Sequence, residues 1–159
     1  MNQDKYEYFA VERDGRGTEF IRADDEVLIV AVTAANEVIL TVEPSAAFGE
    51  DVMILPGGMV EPGENHAVTA NRELQEEAGY AAHSLTFIGE LLPWSKYLQV
   101  RSFVYLGQEL TASRLVGDED YTIGLEFVPL AEFESWIMDG RIKDARVIAA
   151  LFMVRSFLS

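Results

Sequence analysis

Residues 55–80 of the chain read LPGGMVEPGENHAVTANRELQEEAGY. The stretch begins with a glycine-rich turn and continues into a segment of helical composition at residues 66–78, whose small and apolar side chains recur on one face. Gly79 follows where a helix is expected to end, because glycine readily adopts the left-handed conformation that closes many helices. A glycine turn that runs into an acidic helix is therefore the central feature of the predicted fold.

Three glutamates of this helix crowd one face. Glu73, Glu76 and Glu77 stand at positions i, i+3 and i+4, so their carboxylates project toward a common point. An isolated cluster of this kind is more often a solvated acidic face. Here Arg72 offers a bidentate partner for a carboxylate such as Glu64, and the glycine turn lets a backbone carbonyl approach a metal. These neighbours favour a metal site, and hard oxygen ligands favour Mg²⁺ or Mn²⁺.

The spacing of these residues resembles the signature of the Nudix hydrolase family. That signature is Gly, five residues, Glu, seven residues, Arg-Glu, a hydrophobic residue, any residue, Glu-Glu, any residue, Gly and a hydrophobic residue. Residues 58–80 match every specified position, with Tyr80 aromatic where an aliphatic residue is usual. The resemblance implies an α/β (mixed α+β) fold, a Nudix-type α/β/α sandwich with a mixed central sheet. It also implies metal-dependent hydrolysis of a nucleoside diphosphate linked to another group.

The resemblance assigns roles to individual residues as well. It implies that the principal metal ligands are Glu73 and Glu77, with Glu76 as an additional ligand and the carbonyl of Gly57 as a backbone ligand. Arg72 and Glu64 would support these ligands from beside them. Bridging cations would lower the pKa of a bound water and stabilise charge that develops on the diphosphate oxygens.

Weaker motifs elsewhere are similar to the subgroup that hydrolyses ADP-ribose and related ADP compounds. They lie at residues 70–74, 85–87, 117–119, 128–130 and 144–152. In that subgroup a Gly-Asp-Glu loop closes over the diphosphate, so Glu119 would act as general base or complete the metal shell. Related enzymes often carry a second glutamate where this chain has Tyr121, so Asp120 and Glu126 stay open as alternatives.

Candidate substrate contacts follow the metal segment. Trp94 and Tyr97 are candidates for stacking on a base, and Lys96 and Arg101 for contacts with phosphate. Packing along a strand edge is the alternative for these side chains. Two other functions remain open: a pyrophosphatase for a nucleotide sugar, dinucleoside polyphosphate or damaged nucleoside triphosphate, and a non-catalytic nucleotide-sensing module.

Composition sets the wider limits. The 159 residues, 49% of them hydrophobic, predict one domain over residues 1–159. A formal net charge of −15 disfavours nucleic acid as a partner, and no apolar stretch is long enough to span a bilayer. The start lacks a signal-peptide pattern, so a cytoplasmic location is expected. Related enzymes are homodimers, so we expect a homodimer in which residues 1–22 form a dimerisation and substrate-contact segment.

The remaining elements are predicted from apolar periodicity. Residues 27–32 and 37–42 predict a β-hairpin, since two β-branched runs flank a short polar turn. Asp144 is the expected N-cap of a last helix over residues 144–158. Further strands are expected at residues 6–11, 18–21, 85–91, 98–106 and 121–128, and a further helix at residues 130–138.

Overall fold

The computed structural model describes residues 9–117 and 120–159. In these ranges the strands are β1 (Ala10–Arg13), β2 (Glu19–Arg22), β3 (Glu26–Ala31), β4 (Glu37–Ser45), β5 (Glu50–Ile54), β6 (Gly57–Met59), β7 (Tyr80–Leu91), β8 (Leu98–Gln99), β9 (Ser102–Ala112) and β10 (Gly124–Pro129). The helices are α1 (His66–Glu73), α2 (Phe133–Met138) and α3 (Ala145–Leu158), and a π-helical segment covers Leu74–Ala78. Sequence analysis missed β5 and β6, while residues 6–8 of the expected first strand lie outside the described residues.

The strands form three sheets in the described part of the chain. The largest has the order β6-β3-β9-β7, and the other two have the orders β10-β4-β5 and β1-β2-β8. Within the largest sheet β3 and β9 run parallel, whereas the β3–β6 and β7–β9 pairs are antiparallel. The sheet is therefore mixed, as the family resemblance implies.

Two helices cover opposite faces of the largest sheet. Alternate residues of β3 face opposite sides: Leu28 and Val30 pack in the core cluster that contains Val147 and Leu151 of α3. The other side of β3 packs in the cluster that contains Ala70 and Leu74, at α1 and the start of the π-helical segment. This layering confirms the predicted α/β/α arrangement.

The predicted hairpin of residues 27–32 and 37–42 is wrong. β3 lies between β6 and β9, and β4 lies between β10 and β5, so both edges of each strand are already paired. Only an isolated bridge, Val32 with Val38, joins the two segments. Both runs are apolar on both faces, and that pattern is typical of central strands with helices on either side.

The last helix begins as expected. The Asp144 carboxylate accepts hydrogen bonds from the backbone N–H groups of Arg146 at 2.8 Å and Val147 at 3.2 Å, which confirms it as the N-cap. Over residues 9–117 and 120–159, no helix has the length and apolar character needed to cross a membrane.

Candidate active site

The acidic helix has the predicted bounds but not a uniform conformation. Asn65 caps its first turn, and Gly79 closes it in the left-handed conformation with φ 77°. From Leu74 to Ala78 the helix is π-helical, and the Gly79 N–H bonds to the Leu74 carbonyl five residues back. π-helical turns of this kind frequently occur at functional sites. The α-helical spacing assumed for the three glutamates therefore holds only up to Glu73.

The glutamates nevertheless line one cavity. Its volume is about 560 Å³, and it lies between the β6 turn, the π-helical segment and the end of the chain segment that follows β9. The residues that line it are Gly57, Gly58, Met59, Glu61, Arg72, Glu73, Glu76, Glu77, Val116 and Gly117. All four proposed metal ligands thus meet at this cavity, which we call the glutamate cavity.

Arg72 organises one wall of the cavity. Its Nε and Nη2 donate to the two carboxylate oxygens of Glu64 at 3.2 and 3.3 Å, so the bidentate contact expected from the sequence is present. Its Nη1 lies 2.9 Å from Oε1 of Glu73 and 3.0 Å from Oε2 of Glu76. One guanidinium therefore contacts three carboxylates and offsets part of their mutual repulsion.

These contacts change the ionisation of both partners. The hydrogen bond from Arg72 holds the pKa of the Glu64 carboxyl below its ordinary value, although partial desolvation opposes this effect. The same hydrogen bond, followed by the charges of Glu73, Glu64 and Glu76, raises the pKa of Arg72 despite its desolvation. Arg72 therefore stays cationic and Glu64 anionic throughout the neutral pH range.

Close packing requires glycine at position 57 and favours glycine at position 58. A Cβ at position 57 would stand 2.1 Å from the carbonyl oxygen of Val27, where β6 pairs with β3. A Cβ at position 58 would stand 2.5 Å from Oε1 of Glu73. The Gly57 N–H also donates to Oε2 of Glu77 at 3.0 Å. The turn thus holds Glu77 by a hydrogen bond and leaves room for the Glu73 carboxylate.

The donor set of the cavity fits a hard divalent cation. Glu73 and Glu77 are 8% and 7% exposed, and their carboxylates offer oxygen ligands for a metal beside the backbone of Gly57. Within residues 9–117 and 120–159, however, no three His, Cys, Asp or Glu side chains converge in a preformed ion site. Glu73 and Glu76 point to Arg72 while Glu77 points to Gly57, so ion binding would require small side-chain rotations.

The predicted substrate contacts do not line the glutamate cavity. Lys96 and Tyr97 line a separate cavity of about 250 Å³ against the β1–β2 turn. The Trp94 and Tyr97 rings meet edge to face with centroids 5.0 Å apart, and Lys96 lies over the Tyr97 ring. Arg101 pairs with Glu90 at 2.7 Å. Within one chain, these side chains thus contact one another and surface carboxylates.

The loop that follows β9 reaches the cavity through Val116 and Gly117. Glu119, the expected base, lies outside the described residues. Asp120 is exposed and is absent from the cavity lining as described. Glu126 shares its side of β10 with Val128, which packs in the α3 cluster, whereas Leu125 packs on the α1 side. Glu126 therefore faces away from the glutamates.

Sequence reasoning missed three residues of the cavity wall. Met59 and Glu61 occupy the unspecified gap of the motif, and Val116 directly precedes the Gly-Asp-Glu loop. Their proximity to motif residues was the available signal. The sequence also offered no sign of a contact between Tyr121 and Glu43. The Tyr121 hydroxyl donates to Oε2 of the buried Glu43 at 2.8 Å.

Comparison with known proteins gives a family and two named activities among relatives. A NUDIX domain model matches residues 23–151. ADP compounds hydrolase NudE of Escherichia coli (strain K12) is 36% identical over 101 residues, which are 64% of this chain and 54% of that protein. The chain thus spans about half the length of this relative. ADP-ribose pyrophosphatase of Bacillus subtilis (strain 168) is 27% identical over 135 residues, 84% of this chain and 73% of that protein.

A solved structure agrees over nearly the whole chain. The crystal structure of an ADP compounds hydrolase superposes with a TM-score of 0.84 and 28% sequence identity, covering 99% of this chain and 89% of that one. The intact signature, the glutamate cavity that it builds and the domain match over most of the chain lead to one conclusion: the chain belongs to the Nudix hydrolase family.

Proposed function

We propose that the protein hydrolyses the diphosphate linkage of ADP-ribose or a related ADP compound in a divalent-metal-dependent reaction. Water adds to one phosphorus and the bridging P–O bond breaks, so that ADP-ribose yields AMP and ribose 5-phosphate. The observation that carries the proposal is the convergence of Gly57, Glu73, Glu76 and Glu77 on one cavity large enough for a diphosphate.

Each residue of the glutamate cavity has its own proposed role. Glu73, Glu76, Glu77 and the Gly57 carbonyl would hold Mg²⁺, with Mn²⁺ as the other candidate. When bound, the cation would neutralise charge on the diphosphate and would lower the pKa of a bound water. Arg72, fixed by Glu64, holds the carboxylates of Glu73 and Glu76 in place. Glu119, two residues after the cavity-lining Gly117, is the proposed base or additional ligand.

The names of two relatives and of the solved structure support an ADP compound as substrate. For Trp94, Lys96, Tyr97 and Arg101 we retain a substrate-binding role only in an assembly that brings them to another copy's cavity. A homodimer mediated by residues 1–22 is therefore part of the proposal, as is a cytoplasmic location.

A substrate panel tests the function directly. Purified protein with Mg²⁺ is assayed against ADP-ribose, nucleotide sugars, dinucleoside polyphosphates and oxidised nucleoside triphosphates, with products identified by chromatography. We expect ADP-ribose to have the highest kcat/KM and to give AMP plus ribose 5-phosphate. A preference of more than about tenfold for a substrate without an ADP moiety would reassign the substrate class. Binding without turnover of any of them would favour the nucleotide-sensing module.

A further inference from the structure

We propose that Tyr121 is a positioning residue, whose hydrogen bond to Glu43 on β4 fixes the segment that leads into β10, four residues after Gly117 of the glutamate cavity. The inference rests on the proposed function, because it concerns the loop that would supply the catalytic base. It assigns roles to Tyr121 and Glu43, neither of which belongs to the motif or to the cavity wall.

The anchor is rigid. Glu43 lies on β4, where it pairs with Val52 of β5 and directly follows Val42, the last β4 residue that pairs with β10. The Glu43 side chain is 8% exposed, and its Oε2 accepts a hydrogen bond from the Tyr121 hydroxyl at 2.8 Å. Hydrogen bonds to ionised acceptors are stronger than those between neutral groups. The loop is thus tied to one of the best-supported strands of the fold.

The hydrogen bond from Tyr121 compensates the buried Glu43 carboxylate for its lost hydration. In the described part of the chain its other oxygen, Oε1, has no hydrogen-bond partner. A buried carboxylate that loses an existing donor incurs a desolvation cost, so the folded chain favours conformations in which Tyr121 stays attached. The Tyr121 residue is 41% exposed, so packing of its ring holds the loop less firmly than a buried aromatic residue would.

The hydrogen bond between Tyr121 and Glu43 lies close in sequence to the glutamate cavity. Gly117 lines the glutamate cavity and Tyr121 meets Glu43, so only three residues separate the two fixed points. Each residue spans at most about 3.5 Å, so the fixed position of Tyr121 lies within about 14 Å of Gly117 along the chain. Holding a catalytic group in a productive position raises kcat, whereas a loop residue that bound the ground state would change KM.

Removal of one hydroxyl tests the proposal. Tyr121→Phe should lower kcat about tenfold with nearly unchanged KM, and should lower the melting temperature because the buried Glu43 carboxylate loses its donor. Glu43→Leu, which removes the acceptor, should have a similar effect, and the double variant should lose no more than either single variant. Tyr105→Phe on β9 removes a hydroxyl away from this loop and should keep the wild-type kcat. Wild-type kcat in Tyr121→Phe, or additive losses in the double variant, would overturn the inference.

Amide hydrogen exchange provides a readout that does not depend on catalysis. In Tyr121→Phe, peptides within residues 113–124 should exchange faster than in wild type, while those of β4 and α3 should be unchanged. If the wild type hydrolyses no ADP compound, faster exchange still supports the anchor and the failure belongs to the proposed function. Unchanged exchange in residues 113–124 would overturn the anchor itself.

Discussion

Glu73, Glu76 and Glu77 carry the proposed chemistry, yet each has its own setting in the folded chain. Glu77 is held by the Gly57 N–H, whereas Glu73 and Glu76 share Nη1 of Arg72. Arg72 also contacts Glu64 through its other two nitrogens, so a single positive charge serves several carboxylates. The wall therefore keeps an excess of negative charge that attracts cations.

At this scale we predict that Glu77→Gln lowers kcat by at least about a hundredfold, because losing a ligand weakens both water activation and neutralisation of the diphosphate. The amide oxygen of glutamine can still accept the Gly57 hydrogen bond, so the fold should persist. Steady-state kinetics with Mg²⁺ measures the effect. Thermal melts should show that Mg²⁺ stabilises the wild type and stabilises Glu77→Gln much less.

Glu50→Gln is the matched control for this prediction. It removes the same charge from an exposed carboxylate on β5 that pairs with Lys143 at 3.0 Å. Its kcat and its response to Mg²⁺ should equal those of the wild type. Equal rates for Glu77→Gln and wild type, or full wild-type activity in excess EDTA, would refute the metal assignment and with it the proposed reaction.

Among the secondary-structure elements, α3 is joined to β3 by a partly buried charge network. Arg146 donates to both oxygens of Glu26 at 3.0 and 2.8 Å and to the Asp144 carboxylate at 2.9 Å. Glu26 also contacts the Ser102 hydroxyl of β9. The three charged residues line a cavity of about 110 Å³ together with all of β6, and the residues of β6 also line the glutamate cavity. The network thus supports the sheet directly behind the glycine turn.

This network predicts a pH-dependent contribution to stability. Burial alone would raise the pKa of Asp144, but the hydrogen bond and charge of Arg146 outweigh burial and hold that pKa below its ordinary value. A carboxyl with a lowered folded-state pKa stabilises the fold above its unfolded pKa of about 3.9 and loses that contribution as pH falls through the folded value. Asp144→Asn should cost about 1–2 kcal/mol of unfolding free energy at pH 7 and less near pH 3.

Urea unfolding at pH 7 and pH 3 measures this difference. Asp139→Asn is the matched control, because Asp139 also has a lowered pKa beside an arginine, Arg141, but the pair is exposed to solvent. Solvent screening should make its effect on stability much smaller at both pH values. A cost for Asp144→Asn that stays constant between pH 7 and pH 3 would contradict the linkage.

Sequence patterns predicted elements that depend on local signals and missed those that depend on pairing. Asp144 begins a helix through its side chain, and Gly79 ends one through its left-handed backbone conformation. Both signals are local, so both were predicted. The partners of β3 come from distant segments, so the pattern of residues 27–42 suggested a hairpin that does not form. The π-helical turn has no distinct pattern in sequence, because it differs from an α-helix only in how the chain is wound.

The same distinction between local signals and contacts of distant segments applies to the candidate site. The positions of Glu73, Glu76, Glu77, Arg72 and Glu64 were predictable because fixed spacing on one helix and its preceding turn brings them together. Residue type alone suggested the aromatic and basic side chains near residue 97, and these lie at a different cavity. The tie between Tyr121 and Glu43 joins positions 78 residues apart and left no local signal.

For the molecule as a whole, the sheet β1-β2-β8 raises the question of assembly. β1 and β2 have four residues each and contain no fully buried residue. Phe9 and Val11 are 49% and 64% exposed. Small sheets need an apolar face covered by other elements for independent stability. A second copy of the chain would supply that cover, which supports the proposed dimer contact within residues 1–22.

We therefore predict a homodimer with twice the 17.7 kDa mass of the monomer in sedimentation equilibrium. Val11→Glu should shift the equilibrium to monomer, because it replaces an exposed apolar side chain of the proposed contact with a charge. Val68→Glu is the matched control, since Val68 is a comparably exposed valine, 60% accessible, on α1. It should remain dimeric.

If the four side chains Trp94, Lys96, Tyr97 and Arg101 serve the cavity of the other copy, Val11→Glu should also raise KM while Val68→Glu leaves it unchanged. A monomeric wild type with full activity would refute both the dimer and the proposed role of those four residues.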